Sequence, residues 1–110
     1  MIVEVIGGTT EVPEVRVADV DDLSRLHLAL GEVTDEEADA ALRAAGMGRL
    51  TDGDTGVVSV AALRAAAEPR SSAPDWGRRF DDMVMFAARK GWTADDGNSL
   101  QVHVEPAASA

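Results

Sequence analysis

The chain has 110 residues, enough for one domain with a real hydrophobic core, and it contains no cysteine, which excludes disulfides and thiolate metal sites. No apolar run approaches the roughly 18 residues that a membrane-spanning helix needs. The net charge is −10, with ten basic against twenty acidic residues. Phosphate backbones and anionic surfaces repel such a chain, so neither nucleic acid nor membrane is expected as a partner.

The opening MIVEVIGGTTEVPEV carries glutamates and no basic leader, so it does not read as a signal peptide, and the expected location is cytoplasmic. Within it, residues 2–6 (IVEVI) alternate apolar and polar side chains, which predicts a half-buried strand. Gly7 and Gly8 break it. VPEVRV, 12–17, alternates again, and Pro13 places it at a strand start or sheet edge. The two runs are expected to pair as a hairpin. A helix is then predicted from Asp19 or Asp21, where aspartate suits the N-cap, with Leu23, Leu26 and Leu30 on one face and Gly31 as its stop.

Thr34 opens the next helix. TDEE is a capping box, with Glu37 three residues after the threonine; Ala38, Ala41, Leu42 and Ala45 form the inner face, and Gly46 ends it. The polar stretch TDGDTG is expected to be the tip of a hairpin between Arg49–Leu50 and Val57–Val58. A third helix spans 59–68, capped by Ser59 and anchored by Leu63, before the loop PRSSAP. The fourth covers 75–90. Its stripe Trp76, Phe80, Met83 and Ala87 recurs at helical spacing, and Gly91 stops it. Trp92, the turn TADDGNS and the strand LQVHV follow.

Two stretches echo one another: ALRAAGMGRLTDGDTGVVSV and AARKGWTADDGNSLQVHV both read as helix, glycine, polar turn and strand. Residues 34–60 and 75–104 therefore resemble the helix–hairpin end of a winged-helix domain. The expected fold is α+β: about four helices with a small, mainly antiparallel sheet and winged-helix-like units, one domain over 1–105 and a frayed tail over 106–110.

The candidate sites are few. TDEE followed by DGD resembles an EF-hand over residues 33–63, but the loop fails when counted. With Asp52 and Asp54 at its third and fifth positions, the first is Leu50, the sixth Thr55 and the twelfth Ala61. With Asp52 first, the twelfth is Leu63. Neither register supplies the bidentate glutamate, so Asp52 and Asp54 are rejected as ligands and no metal is expected. Asp21-Asp22-Leu23-Ser24 is similar to the Asp-Ser-Leu of acyl carrier proteins with the order changed, which removes the phosphopantetheine serine; no cofactor is expected. Adjacent acid pairs such as Asp81-Asp82 diverge on a helix. Phosphate-loop, dinucleotide and nucleophile-elbow motifs are absent.

The histidines are His27, between two leucines, and His103 in LQVHVE, where alternation puts Gln101, His103 and Glu105 on one face. His27, His103 and Glu105 are the candidates for catalysis, as a histidine–carboxylate cluster. Trp76, Phe80, Met83 and Trp92 are the candidates for a partner surface, if their stripe is not core. The sequence thus favours a non-enzymatic protein-interaction or regulatory module with a protein partner. The alternative is a small enzyme or ligand-binding protein built on the histidine–carboxylate cluster. A cleft in which a histidine and a carboxylate meet within hydrogen-bond reach would favour the second, and histidines exposed and far apart would count against it.

Overall fold

The computed structural model describes residues 1–8 and 12–107. Its strands are β1 (Ile2–Ile6), β2 (Glu14–Ala18), β3 (His27–Gly31), β4 (Gly48–Leu50), β5 (Thr55–Ser59), β6 (Thr93–Ala94) and β7 (Ser99–Pro106); its helices are α1 (Asp35–Ala44), α2 (Val60–Ala67) and α3 (Trp76–Arg89). The seven strands make one sheet in the order β2-β1-β3-β7-β5-β4, with β6 beside β7. β1 pairs with β3 and β3 with β7 in parallel, and every other pairing is antiparallel. The sheet is mixed and curls into a half-barrel.

This overturns the expectation of four helices on a small, mainly antiparallel sheet with winged-helix-like units. The displaced element is the helix expected before Gly31. Residues 19–22 form a turn in which the Asp22 N–H donates to the Asp19 carbonyl at 3.0 Å, with Asp19 in the left-handed region at φ 51°. The chain then enters β3, the central parallel strand. Leu28 and Ala29 point to opposite faces and are both buried, at 0% and 3% exposure. A strand covered on both faces reads as a continuous apolar run rather than an alternation. Leu23, Leu26 and Leu30 fall at helical spacing without being helical.

The remaining elements follow their local signals. The capping box closes in both directions: the Glu37 N–H donates to Thr34 Oγ1 at 3.1 Å, and the Thr34 N–H to Glu37 Oε1 at 2.9 Å. Ser59 Oγ accepts the Ala62 N–H at 3.1 Å and starts α2, whose Leu63 is fully buried. β1 and β2 pair antiparallel, while Thr9, Thr10 and Glu11 between them lie outside the described residues. β7 runs through Pro106, and the Ala107 N–H donates to the Leu30 carbonyl at 3.0 Å; of the tail expected to fray, 108–110 lie outside the described residues.

The sequence echo becomes two helix–hairpin units, α1–β4–β5 and α3–β6–β7. Both helices end in the same glycine motif. Gly46 (φ 68°) and Gly91 (φ 76°) adopt the left-handed conformation that glycine takes without steric cost. The next residue of each unit reaches back to the helix: Met47 N–H to Leu42 O at 3.0 Å, and Trp92 N–H to Ala87 O at 2.8 Å. β5 and β7 then pair antiparallel, from Thr55↔His103 to Ser59↔Ser99.

The core lies between one face of the sheet and the helices, and Val3, Val5, Leu28, Val58 and Leu100 meet Leu42, Leu63, Trp76 and Phe80 there. Trp76 stacks on Phe80 with centroids 4.9 Å apart, and its indole N–H donates to the Val20 carbonyl at 2.6 Å. No helix among the described residues is long and apolar enough to cross a membrane.

Candidate functional site: a cleft at a split in the sheet

β7 has two successive neighbours on one edge. β3 occupies its far end, from Leu28↔Val104 onward. β6 occupies its near end, at Ala94↔Ser99 and Thr93↔Leu100, extended by the Gln101 N–H donating to the Trp92 carbonyl at 2.9 Å. Between them, Val102 and His103 are laddered only to β5, at Gly56 and Thr55. β6 stops after two residues because Asp95, Asp96 and Gly97 all take positive φ and turn the chain back. The turn is held by the Arg49 guanidinium, which grips both Asp95 oxygens at 3.0 and 3.3 Å and keeps that carboxyl below its usual pKa range, helped by Ser99.

A cleft of about 360 Å³ opens at this split. Its walls are the segment from Leu23 to His27, the end of α3 with Met83, Phe86 and Ala87, the Trp92 ring, and the bare edge of β7. An adjoining hollow of about 330 Å³ shares Leu26, Trp92, Gln101, Val102 and His103 and reaches Thr55. Phe86 and Trp92 meet edge to face with centroids 5.9 Å apart, and Lys90 Nζ lies 5.6 Å from the Phe86 ring centre. Phe86 (47% exposed), Trp92 (49%) and neighbouring Met85 (57%) are three of the four large apolar side chains left this open among the described residues. The position matching Trp92 in the first helix–hairpin unit is Met47, which is buried at 7%.

Strand alternation sets the polar groups. Leu100 and Val102 turn into the core, whereas Gln101, His103 and Glu105 face outward. His27 starts β3 beside them. Its Nδ1 lies 2.8 Å from the Arg25 carbonyl, an arrangement that assigns the ring proton to Nδ1 as donor, and 3.6 Å from Glu105 Oε2. The fold therefore brings the three catalytic candidates, His27, His103 and Glu105, to one cleft. They are not joined by short hydrogen bonds, and among the described residues no group of three or more His, Asp or Glu side chains is arranged to hold a metal ion.

The other candidates separate. Trp76 and Phe80 are buried at 1% and 0% and present nothing to a partner. Met83 and Trp92 line the cleft. Asp52 and Asp54 lie on the β4–β5 turn, where Asp52 Oδ1 accepts the N–H groups of Asp54 at 2.7 Å and Thr55 at 2.9 Å; these bonds hold the Asp52 carboxyl below its usual range. Leu26, Arg25 and Phe86 belong to the cleft without a sequence signal beforehand. The one available hint was two large aromatics, Phe86 and Trp92, on either side of a helix-ending glycine.

Comparison of the chain with protein-family models, with curated proteins and with solved structures finds no match.

Proposed function

We propose that the protein is a non-enzymatic cytoplasmic binding module whose β7 cleft receives a compact aromatic or aliphatic group. The observation that carries this reading is the Trp92 ring, half exposed beside an open cleft, where the first unit buries its counterpart Met47. Ligand sites are concave, mostly apolar and run from roughly 300 to 1,000 Å³, with a few polar groups that fix orientation. This cleft meets that description. Its bare strand edge covers only Val102 and His103, about 7 Å of strand. That is too short to add a peptide strand, so the occupant enters as a ring or branched chain.

Nucleic acid is not the ligand in this reading. Arg16, Arg43, Arg49, Arg64 and Arg78 are already committed to carboxylates of the same chain. Calorimetric titration with neutral naphthaleneacetamide tests the proposal. Saturable one-site binding is expected, weakened roughly two- to tenfold or more in both Phe86→Ala and Trp92→Ala, since an aromatic contact carries about 0.5–1.5 kcal/mol beyond the area it buries. Absence of binding, or equal binding in both variants, refutes it.

The approach of His27 to Glu105 favours a second reading, an enzyme in which the imidazole moves a proton for a substrate held in the same cleft. With Nδ1 donating to the Arg25 carbonyl, Nε2 is the nitrogen left to act. A His27→Gln variant that binds ligand normally but loses turnover would single this reading out.

A further inference from the structure

The chain carries twice as many acids as bases, yet the ionisable side chains lining the cleft are Arg25, His27, His103 and a single carboxylate, Glu105. That carboxylate already faces the His27 ring at 3.6 Å. Asp22, the acid closest to Arg25 in sequence, has its Oδ1 occupied by the Ser24 hydroxyl at 2.6 Å and the Ser24 N–H at 3.1 Å, bonds that lower its pKa more than the Arg25 charge does. Among the described residues, Arg25, Arg70, Arg79, Arg89 and Lys90 have no carboxylate within salt-bridge distance, while Arg16, Arg43, Arg49, Arg64 and Arg78 do. Of the five without one, Arg25 is the one that lines the apolar cleft.

On the reading of the cleft given above, we propose that its ligand is a small aromatic carboxylate. The ring lies against Leu26, Phe86 and Trp92, and the carboxylate meets Arg25 and His103 at the polar rim. Arginine suits this role because its planar fork donates two parallel N–H bonds to a carboxylate. Gln101 gives one of its two amide N–H groups to the Thr93 carbonyl at 3.2 Å, and Arg25 is the one guanidinium among the residues lining the cleft.

The test is calorimetric titration of the full chain at pH 7 and low salt with three probes of one shape: naphthaleneacetate, naphthaleneacetamide and naphthalenemethylamine. The acid is expected to bind roughly tenfold tighter than the amide, the increment of one charge-assisted pair, and the amine least. Arg25→Gln is expected to bring the affinity of the acid down to about that of the amide in the same variant, ending the acid's advantage. Equal binding of acid and amide, or preference for the amine, overturns anion selectivity but leaves the apolar cleft standing. Failure of all three probes overturns both. Binding of an N-blocked tripeptide ending in tryptophan well above that of the free acid overturns the small-molecule assignment in favour of a chain terminus.

Discussion

The two phenylalanines of the chain sit six residues apart on α3 and are predicted to behave oppositely when cut to alanine. Phe80 is fully buried. Trp76 stacks on one side of it at 4.9 Å, and the Arg64 guanidinium carbon lies 4.8 Å from its ring centre. Cutting a buried phenylalanine to alanine costs about 3–5 kcal/mol through lost transfer energy and the cavity left behind. The Trp76 stack alone accounts for about 0.5–1.5 kcal/mol, so Phe80→Ala belongs in the upper half of that range. Against a whole-domain stability of roughly 5–15 kcal/mol, such a loss removes between about a quarter and nearly all of it. Phe86, 47% exposed at the cleft, is expected to cost about 1 kcal/mol or less. Urea melts of both variants, followed by far-ultraviolet circular dichroism, decide the matter. A Phe80→Ala midpoint equal to wild type refutes the packing argument, and a Phe86→Ala loss as large as that of Phe80→Ala refutes the open cleft.

Other expectations rest on single contacts. Asp39 accepts the Leu50 N–H at 2.8 Å and Arg43 Nε at 2.8 Å, contacts that tie α1 to β4 and hold its carboxyl below the usual range. Asp39→Ala is expected to cost about 1–2 kcal/mol at pH 7, the lower part of the range for charged hydrogen bonds because the group is partly solvated. A folded pKa below the unfolded one means this contribution is complete above the ordinary value of 3.8 and lost as pH falls through the folded value. The gap between the two urea midpoints should therefore narrow in acid, and a pH-independent gap contradicts the assignment. A Cβ added at Gly56 would sit 2.6 Å from Leu28 Cδ1 and 2.8 Å from the Arg49 carbonyl oxygen, so Gly56→Ala should cost about 1–3 kcal/mol in the same melt; a wild-type midpoint would show that β4 and β5 do not approach so closely. Millimolar calcium is expected to leave the thermal midpoint unchanged, because Asp52 Oδ1 already serves two backbone N–H groups. A rise of several degrees that disappears in Asp54→Ala counts against this.

What was legible in the sequence was local. The Thr34–Glu37 box, the Ser59 cap, the hairpin around TDGDTG and the alternation in LQVHV each depend on contacts within a few residues, and each takes its expected form. The Trp76–Phe80 stripe marked the anchoring face of α3 for the same reason. β3 was illegible because its identity comes from neighbours remote in sequence. HLALG becomes a strand by lying between β1 and β7, and nothing in its own periodicity opposes a helix. Losing β3 also hid the parallel centre of the sheet. The cleft was hidden more deeply, since it exists only where the β3 and β6 ladders fail to meet along β7, a property of pairing rather than of any residue. Alternation did place His103 and Glu105 on one face, but only the corrected strand brings His27 beside them.

The central claim, that the split edge of β7 is a binding site, is tested most directly by amide proton–nitrogen correlation spectra recorded during titration with naphthaleneacetamide. Saturable shifts are expected at the amides of Leu26, His27, Gln101 and His103 and at the Trp92 indole, while the buried Trp76 indole, held by the Val20 carbonyl, stays in place. Shifts centred elsewhere on the molecule, or none at millimolar ligand, contradict it.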